Sequence, residues 1–269
     1  MRIGFIMKKQ EYAHSTPIMQ DLFSQLRKRG FLVNTLVPEE HLIDLDTLRV
    51  DNDLYILRPG VELALSLAGM LHDQGANILN CYEACAYVQD KARVTKKLLH
   101  HQIPTAKSYI AGSISNALEE LDGSPVIVKP HRGSYGEGIQ IIHPGTNFED
   151  SAKGGYFIQQ LLKSSGHDLK VYVIGNKVFG LRRKFPASSF SEKLGDPVSV
   201  SDEIRRSALK IGKLFNLQVY GIDYIESDEG AYVIDINFFP GFIGVKDATK
   251  YLAEYIYHYA LDGVESLAI

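Results

Sequence analysis

Near the end of the chain, Gly221-Ile-Asp-Tyr-Ile-Glu-Ser-Asp-Glu-Gly-Ala-Tyr-Val-Ile-Asp-Ile-Asn-Phe-Phe-Pro-Gly241 constrains the fold more than any other stretch. Tyr220 to Ile225 and Ala231 to Ile236 are rich in β-branched and aromatic residues, and Ser227 to Gly230 between them is a turn cluster, so the stretch reads as a hairpin. Antiparallel pairing about that turn brings Asp223 close to Asp235. Side chains repeat with period two along a strand, which sets Asp235 and Asn237 on one face. Two carboxylates and an amide oxygen suit Mg²⁺, an ion that takes one or two carboxylates and completes its shell with water and phosphate oxygens. The alternative is a polar, water-facing side of a hairpin. Against it, both acids lie inside apolar runs, where an unpaired charge is costly.

A chain of 269 residues that is 45% hydrophobic and 23% charged is an ordinary globular sequence, long enough to bury a core. Its net charge of -3 gives no support for a nucleic-acid partner. Cys81 and Cys85 have no second pair to complete a zinc site and read as buried thiols in a reducing compartment. The segment Met1 to Met7 lacks the apolar length of a signal peptide, and no run approaches a membrane span. The expectation is a cytoplasmic enzyme with neither nucleic acid nor membrane as a partner.

In chain order, short strands at Arg2 to Met7, Phe31 to Val37, Leu54 to Leu57 and Asn77 to Leu79 alternate with helices at Thr16 to Arg29 and Val61 to Asp73. That alternation predicts a small parallel sheet. No glycine-rich fingerprint follows its first strand, so this layer is expected to hold a substrate and not a nicotinamide. Asp90 is placed to cap a helix running to about His101, with Lys91 and Arg93 at its start, where an anion could be shared. Pro125 to Ile142 reads as a strand closed by Lys129, a polar loop and a second strand. The loop from Arg132 to Gly138 carries glycines that let backbone N–H groups converge on a phosphate. Tyr156 to Leu162 is a strand containing Gln159 and Gln160. Asp168 to Arg183 reads as a hairpin turning at Gly175-Asn176, which sets Lys170 beside Arg182 and Arg183. Phe185 to Val200 reads as a mobile loop, Asp202 to Leu214 as a helix capped by Asp202, and Ala248 to Leu261 as a final helix.

From about Asn80 to Ala260 these motifs, in this order, resemble the ATP-grasp superfamily. The likeness rests on an Asp-Lys helix start before Ile103-Pro104, a Val-Lys strand end with its glycine loop, a hinge strand, a D-x-[RK]-V-x-V-x-G hairpin, and G-x-D followed by [DE]-x-N-x-x-P-G. Gly133-Ser-Tyr-Gly-Glu-Gly138, Gly166-His-Asp-Leu-Lys170 and Gly241-Phe-Ile-Gly244 are similar to the group of ribosomal-protein glutamate ligases and lysine-biosynthesis ligases. Lys170-Val-Tyr-Val-Ile-Gly175, Val233-Ile-Asp-Ile-Asn-Phe-Phe-Pro-Gly241 and the N-terminal Lys8-Lys9 are similar to the inositol polyphosphate kinase group. The chain departs from the ligases in having Asp235 for their usual Glu, Lys170 for their Arg, and Gln159-Gln160 for their hinge acid. The histidine-bearing loop of the kinases is absent at Gly133 to Gly138, although His131 lies just before it.

The resemblance implies an α/β (α+β) ATP-grasp fold: an N-terminal parallel α/β substrate domain over residues 1–80, a small lobe with the glycine loop over 81–160, and a C-terminal lobe with the metal hairpin over 161–269. It implies ATP between two sheets, its phosphates on Lys91, Lys129 and the backbone of Gly133, Ser134, Tyr135, Gly136 and Gly138. The base would lie against Gln159, Gln160, Leu161 and Leu162, with Asp168 also on the nucleotide side. Mg²⁺, or Mn²⁺ in its stead, would rest on Asp223, Asp235 and Asn237. Lys170, Arg182 and Arg183 would carry catalysis, and Lys8, Lys9, His131, Asn237 and Gly241 would meet the acceptor. The implied activity is an ADP-forming ligase that activates a small-molecule or peptide carboxylate as an acylphosphate and joins it to an amine. A kinase acting on a phosphorylated polyol is the first alternative, and a non-catalytic nucleotide-binding module the second.

Overall fold

The computed structural model describes residues 1–9, 17–58, 62–121, 123–131, 138–143, 145, 154–185 and 194–262. Its first layer is a parallel sheet. Strands β1 (Arg2–Ile6), β2 (Leu32–Leu36), β3 (Leu54–Leu57) and β4 (Ile78–Leu79) lie in the order β2-β1-β3-β4, with helices α1 (Pro17–Lys28) and α2 (Glu62–Asp73) between them in sequence. All four residues of β3 are buried, the continuous apolar run expected of a strand covered on both faces. Helix α1 turns Met19, Leu22, Phe23 and Leu26 inward at helical spacing and gives way to Gly30 at φ +88°.

Two short helices follow, α3 (Tyr82–Val88) and α4 (Lys91–His100). The Asp90 carboxylate accepts from the Arg93 amide at 3.0 Å and so caps α4, as its sequence predicts. Helix α3 has no counterpart in the sequence reading: seven residues are too few to show a period clearly. The next layer is an antiparallel sheet of β5 (Ser108–Ala111), β6 (Val126–Pro130), β7 (Gln140–Ile142) and β8 (Tyr156–Gln160), in the order β5-β8-β6-β7. Helix α5 (Ile114–Glu120) supplies Ile114 to a core of its own, with Val126, Val128, Ile142, Tyr156 and Ile158.

The third sheet, in the order β11-β10-β9-β12-β13, is antiparallel throughout: β9 (His167–Ile174), β10 (Lys177–Lys184), β11 (Asp196–Val198), β12 (Val219–Ser227) and β13 (Gly230–Phe238). Two expectations are corrected here. Part of the segment read as a loop is β11, which pairs Asp196 with Arg182 and Val198 with Gly180. The cap of α6 (Asp202–Phe215) is Ser201, whose hydroxyl accepts from the Ile204 amide at 3.3 Å, so Asp202 is the first helical residue, where its charge suits the dipole. Ile204, Ala208, Ile211 and Phe215 of α6 are buried against the sheet. Gly212 has no room for a Cβ because the Tyr220 phenol lies there, donating to the Ala208 carbonyl at 2.9 Å.

Helix α7 (Ala248–Asp262) is the last described element, and its Leu252, Ala253 and Ile256 join one apolar cluster that runs from the parallel sheet through the five-stranded sheet. Asn80, fully buried just after β4, ties those two layers together. Its amide oxygen accepts from the Gln218 and Val219 amides at 2.7 and 2.9 Å, and its nitrogen donates to the Val219 carbonyl at 2.8 Å. Among the described residues no helix is long and apolar enough to cross a membrane.

Candidate active site

The hairpin β12–β13 turns at Asp228-Glu229, and its register sets Asp223 directly across from Asp235. On the other side of β12, Asp223 faces Lys170 of β9, and Lys170 in turn faces Leu181 of β10. Residues directly opposite one another across strands share a face, so a single row of the sheet carries Lys170, Asp223 and Asp235. Asp168 and Asn237 lie two residues along on the same face, and Arg183 stands opposite Asp168.

The charges in this row are tightly paired. Lys170 Nζ lies 2.7 Å from Asp223 Oδ2, and Arg183 Nη2 lies 2.7 Å from Asp223 Oδ1. The same guanidinium grips Asp168 with two bonds, Nε to Oδ1 at 2.8 Å and Nη2 to Oδ2 at 2.6 Å. Burial alone would raise the Asp223 pKa, but Lys170 and Arg183 outweigh it and hold this carboxyl below the usual range. Burial also opposes the charge of Arg183, yet the hydrogen bond to Asp168 and the charge of Asp223 leave its pKa raised.

Arg182 is not brought to the row. It is one residue out of phase with Arg183, its side chain is 56% exposed, and it reaches Glu226 at 3.7 Å on the opposite face. Of the two arginines the structure brings Arg183 alone into the cluster, because alternation keeps consecutive strand residues from sharing a face.

The second half of the site comes from the small sheet. Lys129, buried near the end of β6, donates to Gln159 Oε1 at 2.6 Å and to the Ile234 carbonyl at 3.4 Å. That carbonyl is available because the β12–β13 register shifts between Asp223 and Tyr224, leaving Ile234 as an extra residue, a bulge beside Asp235. The two sheets meet at the same place through Thr105, whose hydroxyl donates to the Val233 carbonyl at 2.8 Å, and through the Val233 amide, which donates to the Pro104 carbonyl at 2.9 Å. Burial lowers the pKa of Lys129, the charges of Asp235 and Asp223 oppose that shift, and nearby Lys91 adds to it. Lys91 and Asp235 also line one small cavity of about 10 Å³ with Thr105 and Phe157. Lys91, Lys129, Asp223 and Asp235 thus form one electrostatic neighbourhood.

The other sequence-predicted residues fall as follows. Gln159 accepts from Lys129 through Oε1 at 2.6 Å and donates from Nε2 to Ser108 Oγ at 3.3 Å. The Gln160 amide donates to the Lys107 carbonyl at 2.8 Å and the Leu161 amide to the Pro125 carbonyl at 2.9 Å; Leu161 and Leu162 are half-buried where the chain leaves β8. Gly133, Ser134, Tyr135 and Gly136 lie outside the described residues. Gly138, at φ +70°, has Pro130 against the position of its missing Cβ, so a side chain there would be both strained and crowded. The His131 amide donates to the Gly155 carbonyl at 3.0 Å. Lys9, 66% exposed, faces Glu40 at 3.7 Å, and Lys8 follows β1 at the carboxyl edge of the parallel sheet. Gly241 lies in the turn after β13, between Phe239 and Phe242, two fully buried residues at positive φ.

No group of three or more His, Cys, Asp or Glu side chains among the described residues could by itself hold a metal ion. The donor chemistry nonetheless fits Mg²⁺, which needs few carboxylates. Asp235 and Asp223 would supply two, and Asn237, whose Nδ2 lies 3.2 Å from Asp235 Oδ2 and 3.4 Å from Asp223 Oδ2, would supply an amide oxygen on rotation of its side chain. A wider cavity, about 600 Å³, lies elsewhere, lined by residues including His72, Cys81, Tyr82, Tyr87, Lys97 and Phe215. None of the clustered charges borders it, so volume is a poorer guide to the chemistry here than charge.

With this geometry in place, comparison with known proteins is decisive for the family. A profile described as the RimK-like ATP-grasp domain matches residues 88–259. The chain belongs to this family. The RimK-like domain thus takes in α4, the small sheet and the five-stranded sheet. The alpha-aminoadipate–LysW ligase LysX of Saccharolobus solfataricus is 25% identical over 236 residues, 80% of this chain and 86% of that protein. A probable alpha-L-glutamate ligase of Rhodopirellula baltica is 28% identical over 178 residues, 60% of this chain, but the match spans only 44% of that protein's length. Among solved structures, D-cycloserine synthetase DcsG superposes with a TM-score of 0.74 at 13% identity, over 97% of this chain and 100% of that one. The ATP-grasp ligase PsnB, in complex with a minimal precursor variant, Mg and ADP, gives 0.69 at 16% identity, over 96% and 97%. The fold is the ATP-grasp fold.

Proposed function

We propose that this RimK-like ATP-grasp protein is an ATP- and Mg²⁺-dependent ligase that joins a carboxylate to an amine. The observation that carries the reading is the convergence of Lys129 and Lys91 from one side, and of Asp235, Asp223, Lys170 and Arg183 from the other, on one seam between two sheets. The ligase names of both relatives support it. The polyol-phosphate kinase has no counterpart among the relatives named here, and Lys9, one of the residues that would favour it, is an exposed partner of Glu40.

In this reading Lys129 and Lys91 hold the nucleotide phosphates, with Gln159 keeping Lys129 in place. Asp235, Asp223 and Asn237 would hold Mg²⁺, which supplies charge neutralisation on the phosphate oxygens. Lys170 orients the acid. Its carboxylate oxygen attacks the γ-phosphorus, the bond to the β-phosphate oxygen breaks, and ADP leaves while Arg183 steadies the charge on the transferring group. The amine then attacks the acyl carbon, inorganic phosphate departs, and the nitrogen loses a proton. No covalent bond to the protein is needed, because positioning and charge neutralisation carry phosphoryl transfer.

A product assay with ATP and pooled amino acids tests the proposal, with pooled inositol phosphates in a parallel reaction. ADP and phosphate release that requires both a carboxylate and an amine is the expected result. ADP formation without free phosphate, accompanied by a phosphorylated polyol, would refute it.

A further inference from the structure

Lys170 and Arg183 differ in how firmly their counter-ions are their own. Arg183 holds both oxygens of Asp168 in addition to Asp223. Lys170 is 5% exposed, and among the described residues Asp223 is its one carboxylate within ion-pair distance. Asp223 is therefore claimed twice, as the counter-ion of a buried ammonium and as a donor toward Mg²⁺. A buried cation stripped of its partner is strongly destabilised, so whatever draws Asp223 away leaves Lys170 in need of another anion.

We propose that Asp223 is a place-holder for the acid substrate: its carboxylate occupies the Lys170 subsite until it turns to the divalent cation, and the substrate carboxylate then takes its place. The inference rests on the ligase reading above and adds to it a gate on acid binding. The place to be exchanged is the one the Asp223 carboxylate itself leaves, because the surroundings of Lys170 are otherwise closely packed. Gly221 stands one step along from Asp223 on the same face, and a Cβ there would come within 3.1 Å of Lys170 Cε, 3.2 Å of Pro240 Cγ and 3.3 Å of Tyr172 Cδ1. Those distances are tighter than ordinary van der Waals contact, so the lysine stem, the tyrosine ring and the proline fill the space a side chain would take and hold the ammonium where Asp223 meets it. Asn237 lies across from Gly221 in the register, so the lysine stem runs beside the third of the proposed metal donors. Acid and Mg-nucleotide should then bind with positive coupling, equal in both directions.

The test uses the full chain labelled with ¹⁵N-lysine, the Lys170 ammonium signal assigned through Lys170→Arg, with acetate as the probe carboxylate and Mg-AMPPNP as the nucleotide. Mg-AMPPNP should move the Lys170 signal, and acetate should then shift it with an affinity at least about tenfold tighter than in the absence of Mg²⁺. In Asp223→Asn the acetate response should no longer depend on Mg²⁺. If Mg-AMPPNP binds by calorimetry yet the wild-type Lys170 signal stays put, or acetate binds equally with and without Mg²⁺, the place-holder is wrong and the ligase reading stands. Absence of any calorimetric binding of Mg-AMPPNP would defeat the ligase reading and this inference with it.

Discussion

Asp235 and Asp223 face each other across a strand pair but are not equivalent, and the difference decides what each substitution should do. Asp223 is neutralised by Lys170 and Arg183, whereas among the described residues Asp235 has the Asn237 amide at 3.2 Å and the charge of Lys129 nearby. Asp235→Asn should keep the fold, with a melting temperature within a few degrees of wild type, and should lose most turnover along with its Mg²⁺ dependence. Activity within a few-fold of wild type at unchanged Mg²⁺ dependence would reduce these donors to a polar hairpin face. Gln159→Leu acts differently. It removes the 2.6 Å acceptor of a buried ammonium, a charge-assisted bond whose loss costs about 1.5–3 kcal/mol, so urea unfolding should show that loss together with weaker ATP binding. Unchanged stability would mean that Lys129 finds water or another acceptor.

Elements are positioned by their ends as much as by their faces. Helix α6 packs Ile204, Ala208, Ile211 and Phe215 behind the sheet that carries the charged row, and Ser201 starts it. Ser201→Ala should cost about 1 kcal/mol of stability, the usual worth of an N-cap. Asp202→Ala should cost less, since it affects only the dipole. A urea titration reversing that order would restore Asp202 as the cap. The bulge at Ile234 has a comparable role in the site. It interrupts the ladder at the point where a backbone carbonyl is turned toward Lys129, so an irregularity in one sheet helps to orient a side chain of the other.

Over the whole molecule, the two apolar clusters are unequal. Among the described residues, one is continuous from the parallel sheet through the five-stranded sheet and α7, while the small sheet has a core of few residues around Ile114, Val126, Ile142 and Ile158. Local opening follows apolar contact density, so hydrogen exchange should find β5, β6 and β8 opening at lower free energy than β9 and β12. Mg-ATP should slow exchange in β6 and β8 in particular, because Lys129 and Gln159 lie on them. Uniform protection across the three sheets, with no selective change on adding nucleotide, would contradict that division.

The strands and long helices were legible in the chain because each carries a period, two or 3.6, over enough residues to be read, and the hairpin pairing of Asp223 with Asp235 followed from its turn cluster alone. That Lys170 and the arginine pair sit on neighbouring strands was legible in the same way, from the turn at Gly175-Asn176. What only the tertiary structure decided was which charges meet. The strand phase turned Arg182 away and Arg183 inward, the bulge aimed the Ile234 carbonyl at Lys129, Gln159 was committed to that lysine, and β9 crossed β12 in the register that hands Asp223 to Lys170. None of these has a local signature, since a side chain's partner depends on how strands distant in sequence align, and a shift of one residue in that alignment reverses the face.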